Sequence, residues 1–386
     1  MNMNNFQGGL FKIVALHSNK VFDVPGDKKL EDCVQLQQWW ALSGGVNDQR
    51  ENQLFVVFPV DDIGKYFVIA SWCSGKVLDI KGQSVDEGAA VVQASFLGQD
   101  NQLFELEAFS NEANTYCIRA KHSGKLITVA GGQEHTDGAK IVQSQTFPSS
   151  NYGFRFEKIG EIPDMDLVKS ILAQEPVPSS SEFPTLINPQ KPQNTREWKM
   201  VGKPFLVPYF MVEDNNPHWQ LKKSPYYVLT REVCYTLNEE YFTYNNTASE
   251  QEYEVIVRAG FTTEEAQSFS RTTGIEVSGT YALKVGAKVG AEADFKVGKV
   301  TGEVSKQTSI SLTASASLSL GYSNSTSLSR HNETEIRRLV KCDQYTSLAV
   351  WSQTSKFTLT RLDKSKLKTW ELLEGGIFID DIKIPT

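Results

Sequence analysis

The first 158 residues repeat one pattern three times, and an internal repeat of this length restricts the fold more than any other feature of the chain. Each unit opens on an aromatic-x-Ile pair: Phe11 and Ile13, Phe67 and Ile69, Tyr116 and Ile118. A Lys-led apolar strand follows, at Lys20–Val24, Lys76–Ile80 and Lys125–Val129. About fourteen residues on comes an apolar-Gln step, spelled Leu36-Gln37, Val92-Gln93 and Val142-Gln143. The units close on Phe55, Phe104 and Phe154, with an insertion in the first around Trp39 to Asn47. Four short strands per unit cannot bury an apolar face alone, so three units must share one core around an axis. The expectation is an all-β, threefold domain over residues 1–160.

The repeat resembles the ricin-type lectin β-trefoil, whose units end in Gln-x-Trp. Here the motif reads Gln53-x-Phe55 and Gln102-x-Phe104, and in the third unit Tyr152-x-Phe154. The resemblance implies a sugar site per lobe, made of an Asp at the strand end, a polar and an aromatic residue some fourteen positions later, and the Asn-Gln before the core aromatic. In the first lobe these are Asp23, Gln37, Trp39, Asn52 and Gln53. In the second they are Asp79, Gln93, Asn101 and Gln102, with Ser95 at the stacking position and Phe96 one residue late. The third lobe has Thr128 and Tyr152 at the Asp and Gln positions, and is expected to bind nothing. A carboxylate accepts from two sugar hydroxyls, an amide donates back, and a flat ring covers the apolar face of the sugar. The same Asp and Asn types also satisfy backbone groups of turns, so a purely structural role stands beside the binding one.

Between residues 161 and 196 the texture changes. Six of the fourteen prolines lie here together with Ser179-Ser180-Ser181, which reads as an extended connector. One short helix is expected at 164–174, with Leu167, Ile171 and Leu172 on one face. Beyond it, residues 197–386 are dense in strand formers.

From Ile275 to Val297 every odd position is apolar or glycine, including Val289, Ala291, Ala293, Phe295 and Val297. From Val300 the apolar set moves to even positions, including Val304, Ile310 and Leu312, and the residues between them are nearly all Ser or Thr. A change of phase across two residues is what a two-residue hairpin requires, because the flanking residues pair and share a face. Gly298-Lys299 suits a turn with glycine first. The result is an amphipathic hairpin over 275–322 with arms of about 23 residues, or roughly 75 Å at a rise of ~3.3 Å per residue. A barrel strand needs only ~9 to 11 residues to cross a bilayer. Such hairpins from several chains can close a barrel with no unpaired backbone; a long bent sheet with one face covered is the alternative. Lys306 falls on the apolar face opposite Ala291, where a lysine at the bilayer midplane costs roughly 2 to 4 kcal/mol. A different register, a snorkelling ammonium or a tip that passes beyond the bilayer would each accommodate it.

The runs Leu206–Asn215 and Lys223–Leu229 resemble signature stretches of the Tpp insecticidal toxins, a family that includes the mosquitocidal binary toxins. That resemblance implies a trefoil head followed by an elongated, aerolysin-like antiparallel sheet body. It also implies a bacterial pore-forming toxin. Its partners would be cell-surface glycans or a glycoprotein receptor, the target-cell membrane, further copies of itself in a homo-oligomeric pore, and a possible second toxin component. The other function class that fits is a multivalent lectin that forms no pore.

Composition narrows the field further. A formal net charge of −7 leaves no basic footprint for nucleic acid. Five widely spaced cysteines without a C-x-x-C pair suggest neither a disulfide framework nor a zinc site. No metalloprotease, hydrolase-elbow or nucleotide-loop motif occurs, and no pair of carboxylates stands out, so neither enzyme activity, a cofactor nor a metal is expected. The first residues lack the basic and apolar regions of a signal peptide. The expectation is a soluble or crystal-inclusion protein, released from its producing bacterium and acting outside the cell.

Overall fold

In a computed structural model, the structure describes the chain apart from residues 1–5, 7, 43–48, 61–64, 110–111, 132–134, 146–150, 176, 178–183, 194–195, 260–262, 274, 282–315, 321–333 and 385–386. It divides into two compact units. The first consists chiefly of Met1–Ser170 and Val207–Tyr227.

Six strands of the first unit close into an antiparallel ring. In order around it they are Gly9–Ala15, Phe55–Pro59, Tyr66–Ser71, Phe104–Ala108, Thr115–Ala120 and Phe154–Glu161, the last pairing back to the first. Closure removes the exposed edges that an open sheet would leave. Three hairpins complete the repeat, pairing Val21–Asp23 with Gln37–Trp39, Val77–Ile80 with Val91–Ala94, and Leu126–Val129 with Ile141–Ser144. The fold is thus a β-trefoil, with one core cluster that includes the closing Phe55, Phe104 and Phe154. Phe6 fills the opposite end of that core. Its ring centroid lies 5.6, 5.8 and 5.2 Å from those of Phe11, Phe67 and Tyr116, the opening aromatics of the three units.

A buried glutamine ties each lobe to its neighbour. Gln38 accepts from Ser18 Oγ at 2.9 Å and donates to the Thr136 carbonyl at 3.0 Å. Gln93 accepts from Ser74 Oγ at 2.9 Å and donates to the carbonyls of Lys29 and Glu31 at 3.0 and 2.8 Å. Gln143 accepts from Ser123 Oγ at 2.8 Å and donates to the carbonyls of Ser84 and Asp86 at 2.8 and 2.9 Å. The carbonyls of the three glutamines in turn accept from the N–H groups of Gly138, Cys33 and Gly88, all at positive φ (80°, 58° and 77°). Two of these positions carry glycine, which adopts that region without penalty; Cys33 does not have that freedom.

The helix expected at 164–174 spans Met165–Leu172 and is designated α1. It buries Met165, Val168 and Ile171, while Leu172 is exposed, so the apolar face starts at a methionine that the periodicity argument had passed over. Val207–Tyr227 packs on the second trefoil lobe. The Phe58 ring lies 5.6, 5.3 and 5.4 Å from those of Tyr209, Phe210 and Tyr226. Tyr209 donates its hydroxyl to the Gly75 carbonyl at 2.6 Å. A Cβ at Gly75 would fall 2.2 Å from the Pro217 carbonyl oxygen, so only glycine fits there. Helix α2, Pro217–Lys223, is capped by Asn216, whose side chain accepts from the Trp219 N–H at 2.9 Å. From α2, Lys222 pairs with Glu51 at 2.8 Å and lies 3.7 Å from the centre of the Trp72 ring.

The second unit is built on a long hairpin of Thr346–Arg361 with Lys366–Lys383. One core cluster joins Leu348 and Val350 to Val255, Val340 and Cys342, and another joins Ala349 and Trp351 to Leu186 and Leu237. Gln251–Ala259 pairs antiparallel with Thr334–Cys342. Helix α3, Thr263–Thr273, leads from that pair toward the amphipathic segment. Its Phe269 is fully buried, with its ring 5.8 Å from Phe357 and 4.8 Å from Trp370. Ile275–Tyr281 and Ala316–Leu320 then pair with each other in a two-stranded sheet. These are the outer ends of the hairpin expected from the sequence. Val289, Ala291, Ala293, Phe295, Val297, Gly298, Val300, Val304, Ile310 and Leu312 lie outside the described residues, as does Lys306.

Candidate functional site

Asp23 ends its strand with its carboxylate almost fully enclosed, and three amides converge on it. Oδ1 accepts from Gln37 Nε2 at 3.1 Å, and Oδ2 accepts from Asn52 Nδ2 at 2.9 Å and Gln53 Nε2 at 3.0 Å. Asn52 also donates to the Val24 carbonyl at 2.8 Å. Gln53 donates to the Trp40 carbonyl at 3.1 Å and accepts from the Leu42 N–H at 2.9 Å, which fixes the chain beyond the strand. Burial pushes the Asp23 carboxyl above the ordinary aspartate range, against the lowering effect of the three amides. Trp39, two residues beyond Gln37 on the same strand face, is half-buried, and Trp40 is exposed. The sequence-derived set of the first lobe is therefore one cluster.

The second lobe repeats the inner part of this arrangement. Asp79 Oδ2 accepts from Asn101 Nδ2 at 3.0 Å and Gln102 Nε2 at 2.9 Å. Gln102 donates to the Ser95 carbonyl at 2.9 Å and accepts from the Leu97 N–H at 2.7 Å. Burial raises the Asp79 carboxyl as well. Gln93 and Phe96 are not brought to it. Strand register sets Val92 opposite Asp79, whereas Gln37 stands opposite Asp23. Gln93 is opposite Leu78, as Gln38 is opposite Phe22, and serves as the buried interlobe tie. The position of Trp39, opposite Val21, is held in the second lobe by Ala94, opposite Val77. Phe96 packs on Phe210 with ring centroids 4.6 Å apart.

In the third lobe Thr128 turns its hydroxyl to the carbonyls of Val129 and Asn151, at 3.1 and 3.3 Å. Asn151 donates to the Val129 carbonyl at 2.8 Å, as its counterparts Asn52 and Asn101 do to theirs. The Tyr152 ring rests against Phe109, centroids 5.4 Å apart. Thr128 thus stands where the other two lobes carry the aspartate.

Two residues from the third lobe border the first-lobe cluster and were missed by sequence reasoning. Lys140 Nζ donates to Gln37 Oε1 at 3.2 Å across an isolated strand bridge. Gly138 lies against the ring: a Cβ there would be 3.6 Å from Trp39 Cζ3 and 3.7 Å from Gln37 Oε1. The repeat shows which residues are equivalent between lobes but not which lobe's loop adjoins which site. Among the described residues no group of three or more His, Cys, Asp or Glu could hold a metal ion, and no helix is long and apolar enough to cross a membrane.

The trefoil matches the model of the ricin-type beta-trefoil lectin domain-like family over residues 51–144, and the later part of the chain matches that of Insecticidal Crystal Toxin, P42, over residues 199–381. The chain thus carries a region similar to lectin-like trefoil domains, followed by a region similar to an insecticidal crystal toxin family. Among solved structures, Cry35Ab1 shares the fold of this chain at 14% identity, covering 97% of it and 90% of its own length with a TM-score of 0.58. The lectin-like domain is similar to ThreeFoil, a designed threefold-symmetric protein, at 31% identity over 39% of this chain and 99% of that one (TM-score 0.35). It is also similar to the Macrolepiota procera ricin B-like lectin solved in complex with lactose, at 20% identity over 39% of this chain and 96% of that one (TM-score 0.31). No curated protein matches the chain.

Proposed function

We propose that this chain is a pore-forming toxin. Its trefoil binds a glycan or glycosylated receptor on the target-cell surface through the first-lobe cluster, copies of the chain assemble there, and the 275–322 hairpins join in a transmembrane β-barrel. A producing bacterium releases the protein, which acts outside the cell, alone or with a second toxin component. The observation that carries the pore reading is the pairing of Ile275–Tyr281 with Ala316–Leu320. It brings together the two ends of a segment whose sequence alternates apolar with hydroxyl-bearing residues, one set to face lipid and the other a lumen. Membership in the toxin domain supports the same reading. For the head, the Asp23 cluster offers a carboxylate acceptor flanked by amide donors and a half-buried indole.

Insertion requires α3 to leave its seat, because the helix leads directly into the first hairpin strand and its Phe269 is held between Phe357 and Trp370. Dye release from liposomes carrying target-cell glycolipids tests the pore. The double variant Val297→Asp and Val300→Asp keeps glycan binding and loses leakage by more than about 100-fold, since each charge on the lipid face costs a few kcal/mol (~2 to 4 for a lysine or arginine, less for an aspartate). Unchanged leakage would leave a multivalent lectin that forms no pore.

A further inference from the structure

We propose that the first-lobe site takes an anionic sugar, one carrying a carboxylate or a sulfate ester, and that Lys140 from the third lobe reads the charge. The inference rests on the sugar-binding reading of the Asp23 cluster and goes beyond it in naming the ligand class. Lys140 belongs to a different repeat unit from the other members of the site, and it reaches them through the strand bridge to Gln37. Its ammonium donates to the Gln37 amide oxygen at 3.2 Å and has no ion-pair partner at hydrogen-bonding distance among the described residues. The neighbouring acid of the same loop, Asp137, is engaged by Lys20 at 2.5 Å. Asp23 has both oxygens occupied by three amides. The cation at the mouth is thus held in place by a neutral amide, and the Asp23 carboxylate beneath it is near enough to feel its charge.

The threefold repeat supplies internal controls. The residue bridged to the Gln37 position is Lys140 in the first lobe, Gln35 beside Val92 in the second, and Ala90 beside Val142 in the third. Cation, indole, amide and carboxylate therefore coincide in one lobe only. A sugar whose vicinal hydroxyls face Asp23 and whose apolar face covers Trp39 would extend a substituent past Gln37 toward the ammonium. A charged oxygen there adds ion-pair attraction to the hydrogen bond from the ammonium, while a neutral hydroxyl offers the hydrogen bond alone.

The test is an array of matched oligosaccharides: each neutral galactoside or N-acetylgalactosaminide beside the same compound with one sulfate, one sialic acid or one hexuronic acid. The full-length protein is expected to bind the charged member of at least one pair about fivefold more tightly, the scale of one exposed ion pair. The advantage shrinks as salt rises from 0.05 to 0.5 M. Lys140→Ala and Lys140→Gln bring the charged member down to the affinity of its neutral parent, and Lys140→Arg keeps the advantage. The sulfate and carboxylate arms tell the two sources of charge apart. Equal binding of charged and neutral members, or a preference that survives Lys140→Ala, overturns the inference while leaving the sugar site standing. Binding that is unaffected by Trp39→Ala, in protein whose melting temperature is unchanged, overturns the sugar site and the inference with it.

Discussion

The first and second lobes of the trefoil hold an aspartate, an asparagine and a glutamine in the same way, with the same backbone contacts, yet they surround them differently. The equivalent strand positions carry Gln37, Trp39 and Lys140 in the first lobe and Val92, Ala94 and Gln35 in the second. The shared part is buried in both lobes, and its asparagine bond to a backbone carbonyl recurs in the third lobe, which has Thr128 in place of the aspartate. That bond therefore belongs to the scaffold. On the proposed sugar-binding reading, the rim, where the lobes diverge, decides whether the aspartate beneath it serves a ligand.

The largest test of this contrast replaces each aspartate by asparagine. Asp23→Asn is expected to weaken glycan binding by about 100-fold, near 3 kcal/mol, by removing a charged acceptor from the site. Asp79→Asn leaves binding within about twofold. Equal losses, read by isothermal titration, would make the second lobe a working site despite its rim. The pH dependence has a definite sign. Because burial raises the Asp23 carboxyl, binding fails as the pH falls through a midpoint above the ordinary aspartate value of 3.8. In folding the same shift acts the other way. A raised carboxyl favours the protonated folded state, so its contribution is full below the unfolded pKa and is lost as pH rises through the folded one. Asp79 shares that direction, so stability against pH does not separate the lobes whereas binding does.

A second, smaller effect should be blind to the difference. Gln38→Ala, Gln93→Ala and Gln143→Ala each leave a serine hydroxyl and backbone carbonyls of the next lobe without a buried partner. A loss of about 2 kcal/mol in denaturant unfolding is expected for each. If Gln93→Ala reduces glycan binding without destabilising the fold, its assignment as a tie is wrong.

That glutamine also shows where the sequence was legible and where it was not. The repeat, the core aromatics and the first-lobe cluster could be read from residue spacing, because each unit must send an aromatic to a common core. The apolar-Gln step aligned Gln37 with Gln93 and Gln143 by spelling. Strand pairing aligns Gln38 with them instead. The first lobe carries Gln-Gln and Trp-Trp in succession, so a one-residue slip leaves the residue types unchanged while exchanging the strand faces. Lys140 was hidden for another reason: its role arises from contact between units, and a pattern within one unit carries no trace of it. The placement of Val207–Tyr227 with the trefoil was equally invisible, since its strand-forming composition suits either unit.

The smallest expected effect concerns Cys33, which stands at φ 58° where the other lobes have Gly88 and Gly138. Cys33→Gly relieves a left-handed backbone at the expense of a more flexible unfolded chain, for a net gain of at most about 0.5 kcal/mol. A loss of stability in the melting curve would show that the cysteine side chain contributes something its exposed position does not suggest.

The chain leaves the first unit after Ser170, returns to it at Val207, and leaves again after Tyr227. A protease that cuts anywhere in the proline-rich stretch between these points therefore does not set the head free. Phe58 would still be enclosed by Tyr209, Phe210 and Tyr226, and Lys222 would still be bound to Glu51. The two fragments would migrate separately in denaturing gel electrophoresis and together through a sizing column. A nicked chain would keep its trefoil attached to the residues that follow Tyr227 by packing alone.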